Sequence, residues 1–317
     1  MKALVLGAVV FLVPAVGLAV EPKTRTFRFT YDATITGLKP EQPARVWLPV
    51  PQTSDDQKIT NIQTTFNTEA RTETDPRFGN KMLYLVPTAD KDGEIPLRVV
   101  YTIERKEVRG ETDKDLKDDL ERFLKPDPLT RPDGKHLKLI EGKKLPEDPM
   151  AVGKEFYDLV NGMMKYSKEG TLWGRGDVDW VCDSRFGNCT DFHSLFLALL
   201  RSQSIPGKFE IGFGLPEKRG SGEVAGYHCW AKFKPEGKGW VPVDISEANK
   251  NPKLKDYYFG NLTEDRVTFT VGRDLALAPK QDGPPLNFFV YPYVEVDRKP
   301  YPADKVKRKF SYEDVQK

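Results

Sequence analysis

Five apolar residues, Phe192, Leu195, Phe196, Leu199 and Leu200, recur at the spacing of one helical face, the stripe of a helix packed on a core. Asn188 stands where an N-cap is needed, Asp191 supplies an acid three positions on, and Ile205-Pro206-Gly207 stops the helix. After the stop, Phe209, Ile211 and Phe213 alternate as a strand, and further strands are predicted at 227–233, 240–244, 266–271 and 288–296. A helix feeding a mostly antiparallel sheet defines an α+β domain. Residues 148–168 add a helix carrying Val152, Phe156, Leu159, Val160 and Met163 on one side. The stretch 173–186, rich in Gly and Asp, reads as a loop, and so does the Gly-rich stretch 215–226.

Upstream, residues 24–107 alternate apolar and polar positions in short runs, such as Phe27-Arg28-Phe29-Thr30-Tyr31 and Leu97-Arg98-Val99-Val100-Tyr101. Such runs, punctuated by Pro and Gly, predict an all-β region with a sandwich as its default architecture. Between the two regions the charge is dense. Residues 113–125 are expected to form an amphipathic helix behind Thr112, ended by Pro126, Pro128 and Pro132. The expected division is therefore 1–19 signal peptide, 20–108 all-β domain, 109–147 charged helical linker and 148–317 catalytic domain.

The signal peptide is read from Lys2 and the unbroken small and apolar run that follows from Ala3 to Val20, with Gly17 and Ala19 at a plausible cleavage site. An uncleaved anchor is the rival reading. Removal predicts a secreted or periplasmic protein with no stable membrane insertion. Taking Lys2 from the 49 basic residues leaves 48 against 47 acidic ones, a balance that gives no electrostatic case for nucleic acid. Three cysteines in an exported chain is an odd count, so at least one thiol stays unpaired.

Cys189 is the first residue of the predicted helix, on its inward side and at its positive end. Unsatisfied N–H groups and the helix dipole favour a thiolate there, and the same N–H groups can hold an oxyanion. The base follows from strand geometry. His228 shares a strand face with Trp230 and Lys232, and Asp244 shares one with Pro242 and Trp240. Closing a hairpin around Glu236 places His228 opposite Asp244, near enough for the carboxylate to orient the imidazole. A bulge would shift that register, and Pro242 marks the second strand as irregular.

The run Gly187-Asn188-Cys189-Thr190-Asp191-Phe192 opening a helix, then Tyr227-His228-Cys229-Trp230, then Trp240-Val241-Pro242-Val243-Asp244, resembles the transglutaminase-like superfamily over about residues 150–260. The resemblance implies a papain-like core with Cys189 as nucleophile, His228 as general base and acid, and Asp244 as the residue that orients the base. It implies attack on an amide or peptide carbonyl of a protein or peptide substrate through a thioester, without a cofactor. Hydrolysis is favoured over transfer to an amine. An inactive binding or scaffolding protein is the alternative.

Other residues compete for the same site. His193, four residues after Cys189, is a rival base without an evident acid to orient it, and His136 is expected in solvent. Cys229 points away from the face of His228, either packing in the core or pairing with Cys182. No metal site is predicted, because the cysteines lack paired ligand spacing. Trp180 and Tyr227 are candidate substrate-binding residues, with Trp173 near the former.

Overall fold

The computed structural model describes residues 21–112 and 119–315. The predicted signal peptide and residues 113–118 of the predicted linker helix lie outside them. The described remainder of that helix forms a single turn, α1, Glu121–Leu124, and a 3-10 helix follows at Lys135–Leu139. The other helices are α2, Pro149–Met163; α3, Val178–Ser184; α4, Cys189–Ser202; and α5, Ile245–Lys250. Among the described residues no helix is long and apolar enough to cross a membrane.

Period-two alternation produces the β region as predicted. In Thr24–Ile35 the buried set is Arg25, Phe27, Phe29, Tyr31, Ala33 and Ile35, and in Ile95–Lys106 it is Ile95, Leu97, Val99, Tyr101, Ile103 and Arg105. Two five-stranded antiparallel sheets result, but the early residues do not complete them. Val306–Asp314 pairs with Thr24–Ile35 on one side and with Ser221–Val224 on the other. Tyr293–Val296 adds to Arg45–Val50 in the second sheet. The expected boundary at residues 147 and 148 is thus corrected: the sheets take strands from both ends of the chain, because edges left open by the early strands are paired by the late ones.

The second unit is a four-stranded antiparallel sheet ordered Val241–Val243, Tyr227–Phe233, Gly207–Gly214, Arg266–Val271, with α4 packed on it. Every residue of α4 from Cys189 to Leu200 is buried. Side chains such as Phe192, Leu195 and Phe196 contribute about 1.5–3 kcal/mol each by leaving water. The core is continuous with that of the β region, through Phe29 against Phe213 at 4.9 Å and Tyr101 against Phe269 at 5.6 Å. At Gly212, opposite His228, the strand bulges, and a Cβ would lie 1.9 Å from the Val267 carbonyl oxygen. Only glycine fits there.

Differences from the predicted elements are local. Residues 173–186 contain α3 because Asp177 caps a helical turn, its carboxylate accepting from the Trp180 N–H. The strand expected over 288–296 is confined to Tyr293–Val296.

Candidate active site

The helix that opens on Cys189 is capped twice. Asn188 Oδ1 accepts from the Thr190 N–H at 2.9 Å, and the Asp191 carboxylate accepts from the Asn188 N–H at 2.9 Å. Asp191 also takes the N–H groups of Gly174 and Gly176, tying the preceding loop to the helix. A side chain at Gly187 would meet that carboxylate at 2.4 Å, so the cap requires glycine beside it. Cys189 follows as the first helical residue, buried, with its thiol hydrogen-bonded to His228 and to Cys229. Burial alone would raise this thiol, but those two hydrogen bonds and the His228 charge outweigh it and hold it well below its ordinary value.

His228 Nε2 donates to Asp244 Oδ2 at 2.7 Å. Burial pulls the imidazole down, while the Asp244 charge and hydrogen bond, together with Cys189, push it up to about 10. Asp244 is fully buried and caps α5. Its Oδ1 accepts from the Ser246 hydroxyl and the Glu247 N–H, both at 3.1 Å, and its Oδ2 takes Arg266 Nη1 at 3.0 Å besides His228. Burial would raise its carboxyl, yet His228 and Arg266 hold it well below the carboxylate range.

The predicted register needs correction. Ala231 pairs with Val243, not Val241, so His228 and Asp244 are diagonal rather than directly opposed. A shift of two keeps both side chains on one face, and the contact survives.

Cys229 packs in the core, one of its two expected fates, and it also borders the site. Its Sγ lies 3.8 Å from Thr190 Oγ1 and 3.9 Å from His193 Nδ1, and it touches the Cys189 thiol from the α4 side of the sheet. Alternation does separate it from His228, but the end of α4 lies where both reach the thiol. Burial, then its bond to Cys189, raises the Cys229 thiol well above normal. All three cysteines are free, and Cys182 sits in α3, pushed up to about 11 by burial. His136 is fully buried rather than solvated. His193 contacts Cys189 through the backbone, its Nδ1 being 2.8 Å from the Cys189 carbonyl oxygen.

A groove of about 560 Å³ opens over Cys189 and His228, bounded by Tyr166, Trp173, Tyr227 and Tyr291 among others. Tyr227 is in place, its hydroxyl accepting from Asn188 Nδ2 at 2.9 Å. Trp180 is not brought there; it packs edge-on against Phe186 with ring centroids 5.4 Å apart. Sequence reasoning missed Arg266 altogether, and no periodicity pointed to it. It also missed that Asp244-Ile245-Ser246-Glu247 has the pattern of a capping box, a signal that was there to read.

Residues 139–245 match the transglutaminase-like superfamily core. An uncharacterised protein of Haemophilus influenzae is 29% identical, covering 92% of this chain and 90% of its own. A crystal structure of a proposed cysteine protease from Cytophaga hutchinsonii superposes with a TM-score of 0.59 at 17% identity, covering 93% of this chain and 99% of that one. The periplasmic domain of TgpA from Pseudomonas aeruginosa gives a TM-score of 0.37 at 16% identity over 76% of this chain and 98% of that domain.

Proposed function

We propose that this chain, whose residues 139–245 form a transglutaminase-like core with a papain-like fold, is a cysteine-dependent acyl-transfer enzyme that hydrolyses amide or peptide bonds. One observation carries the reading: a single imidazole, His228, is hydrogen-bonded to the Cys189 thiol on one side and to the buried Asp244 carboxylate on the other. Because Asp244 takes Nε2, Nδ1 is left to serve the sulfur.

In the proposed reaction the Cys189 thiolate attacks the carbonyl carbon and the developing oxyanion lies at the positive end of α4. The C–N bond breaks, and the amine leaves with the proton carried by His228. The resulting thioester is attacked by water, which gives its proton to His228, and the carboxylic acid is released as the thiolate re-forms. An amine in place of water would give transfer. The preference for hydrolysis follows the resemblance, which includes proteases and amidases, and the Cytophaga neighbour is in keeping with it. The apolar run from Ala3 to Val20 supports an exported, periplasmic or secreted location.

The test is the rate of iodoacetamide labelling against pH, read by mass spectrometry, for the unaltered chain and His228→Ala. Selective labelling of Cys189 below pH 7 that disappears in the variant supports the thiolate–imidazole pair. Labelling no faster than an ordinary thiol would leave a groove-binding protein without chemistry. Release of peptides, against incorporation of a fluorescent primary amine, separates hydrolysis from transfer.

A further inference from the structure

We infer that His193 is a positioning residue for the centre proposed above, a neutral strut that joins the first residue of α4 to the first residue of α5; the inference rests on that acyl-transfer reading. Its Nδ1 lies 2.8 Å from the Cys189 carbonyl oxygen, and the Ile245 N–H donates to its Nε2 at 3.0 Å. A carbonyl oxygen can only accept and a backbone N–H can only donate. The ring proton is therefore on Nδ1, and Nε2 carries a lone pair.

The two helix ends are the ones that matter for chemistry. Cys189 opens α4, and Asp244 is the cap that immediately precedes Ile245 in α5. His193 thus sets the spacing between the backbone of the nucleophile and the backbone beside the orienting acid, while His228 spans the same gap on the side facing the groove. Small displacements at such a spacing are costly, a misplacement of about 1 Å being enough for roughly a hundredfold loss of rate.

The ring is fully buried. The groups facing it are Asp244, whose Oδ1 is 4.0 Å from Nε2, Cys229, whose Sγ is 3.9 Å from Nδ1, and, by charge, Cys189 and His228. Burial is the largest influence and lowers the imidazole, so the ring stays neutral in the range where a thiolate–imidazolium pair operates. Protonation at Nε2 would set two N–H groups against each other and break the tie to α5. His193 is consequently excluded as the base, since neither nitrogen is free to take a proton from the thiol.

Two measurements on the full chain test this. The first is the ¹⁵N imidazole spectrum of the unaltered protein between pH 5 and pH 9. A constant Nδ1–H tautomer for His193 is expected; an Nε2–H tautomer, or an ordinary titration, overturns the inference without touching the role of Cys189. The second is the pH profile of Cys189 alkylation in His193→Leu, which keeps bulk and loses both bonds. Its apparent thiol pKa should rise by about one unit and its rate at pH 6 fall at least about tenfold. His193→Asn can restore the bond to the Cys189 carbonyl and His193→Gln the bond from Ile245, so each should recover part of the loss, and they serve if the Leu variant does not fold. Unchanged profiles in all three overturn the inference, whereas an ordinary thiol pKa in the unaltered protein overturns the acyl-transfer reading itself.

Discussion

Arg266 Nη1 lies 3.0 Å from Asp244 Oδ2, the same oxygen that receives His228 Nε2. The guanidinium is almost wholly buried and also lies over the Trp230 ring, 4.8 Å from its centroid. It competes with His228 for the electron density of one oxygen and repels an imidazolium. Replacing it with Met should therefore raise the alkaline limit of Cys189 reactivity. It should also destabilise the fold by about 3 kcal/mol, because the buried carboxylate loses a partner. Urea denaturation beside the alkylation profile checks both parts, and an unchanged midpoint with an unchanged profile would mean that Arg266 is idle.

The reactive form requires Cys189 deprotonated and His228 protonated. Since the thiol is held low and the imidazole is pushed up to about 10, kcat/KM should be flat through neutral pH and fall as pH rises through about 10. In His228→Ala the alkaline fall should vanish and Cys189 should react only at or above the ordinary thiol range near pH 8.5.

The Cys229 thiol, whose Sγ faces Thr190 Oγ1 at 3.8 Å, is the strongest influence lowering the Cys189 thiol and so favours the thiolate. Cys229→Ala should slow alkylation of Cys189 at pH 6 by roughly tenfold, the scale of a hydrogen bond to a charged group. In the native protein at pH 7 only Cys189 should label quickly, with Cys182 held up at about 11 and Cys229 held well above its ordinary value by burial. In urea the three should label alike. Fast native labelling of Cys182 would contradict the assignment.

His136 and His193 are both buried with their imidazoles lowered, burial being the first cause in each case. The unfolded chain binds protons at these residues near pH 6.5 and the folded chain does not, so stability present above that pH is lost as pH falls below it. Each contributes up to about 1.4 kcal/mol per pH unit. His136→Phe should reduce the acid slope of the urea midpoint by about one proton's worth, and an unaltered slope would show that His136 does not resist protonation.

How much was legible in the sequence depended on the range of each interaction. Asn188, Cys189 and Asp191 announce their roles within one helical turn, and the structure forms that cap as read. The face shared by His228 and Asp244 survived a register error because strands repeat every two residues. Arg266 is separated from Asp244 by 22 positions and reaches it from the opposite edge strand of the four-stranded sheet, so no local pattern encodes the contact. The same limit applies to strand order. Nothing near Val306 reveals that it will pair beside Thr24–Ile35, and the domain boundary drawn from composition failed for that reason. The partner of His193 was illegible for a different one: helical spacing brings it near Cys189, but spacing alone does not say whether a ring meets the thiol or the carbonyl.

The strand Val306–Asp314 holds Ser221–Val224 at the sheet edge, and residues 214–217, 223 and 225–227, in and beside that short strand, line the groove. One wall of the groove is therefore anchored by a segment that leaves the ribosome about sixty residues after Asp244. A nascent chain can make α4 and the hairpin of His228 and Asp244 before it can fix the cleft above them, so the polar cluster is assembled before the wall that encloses it.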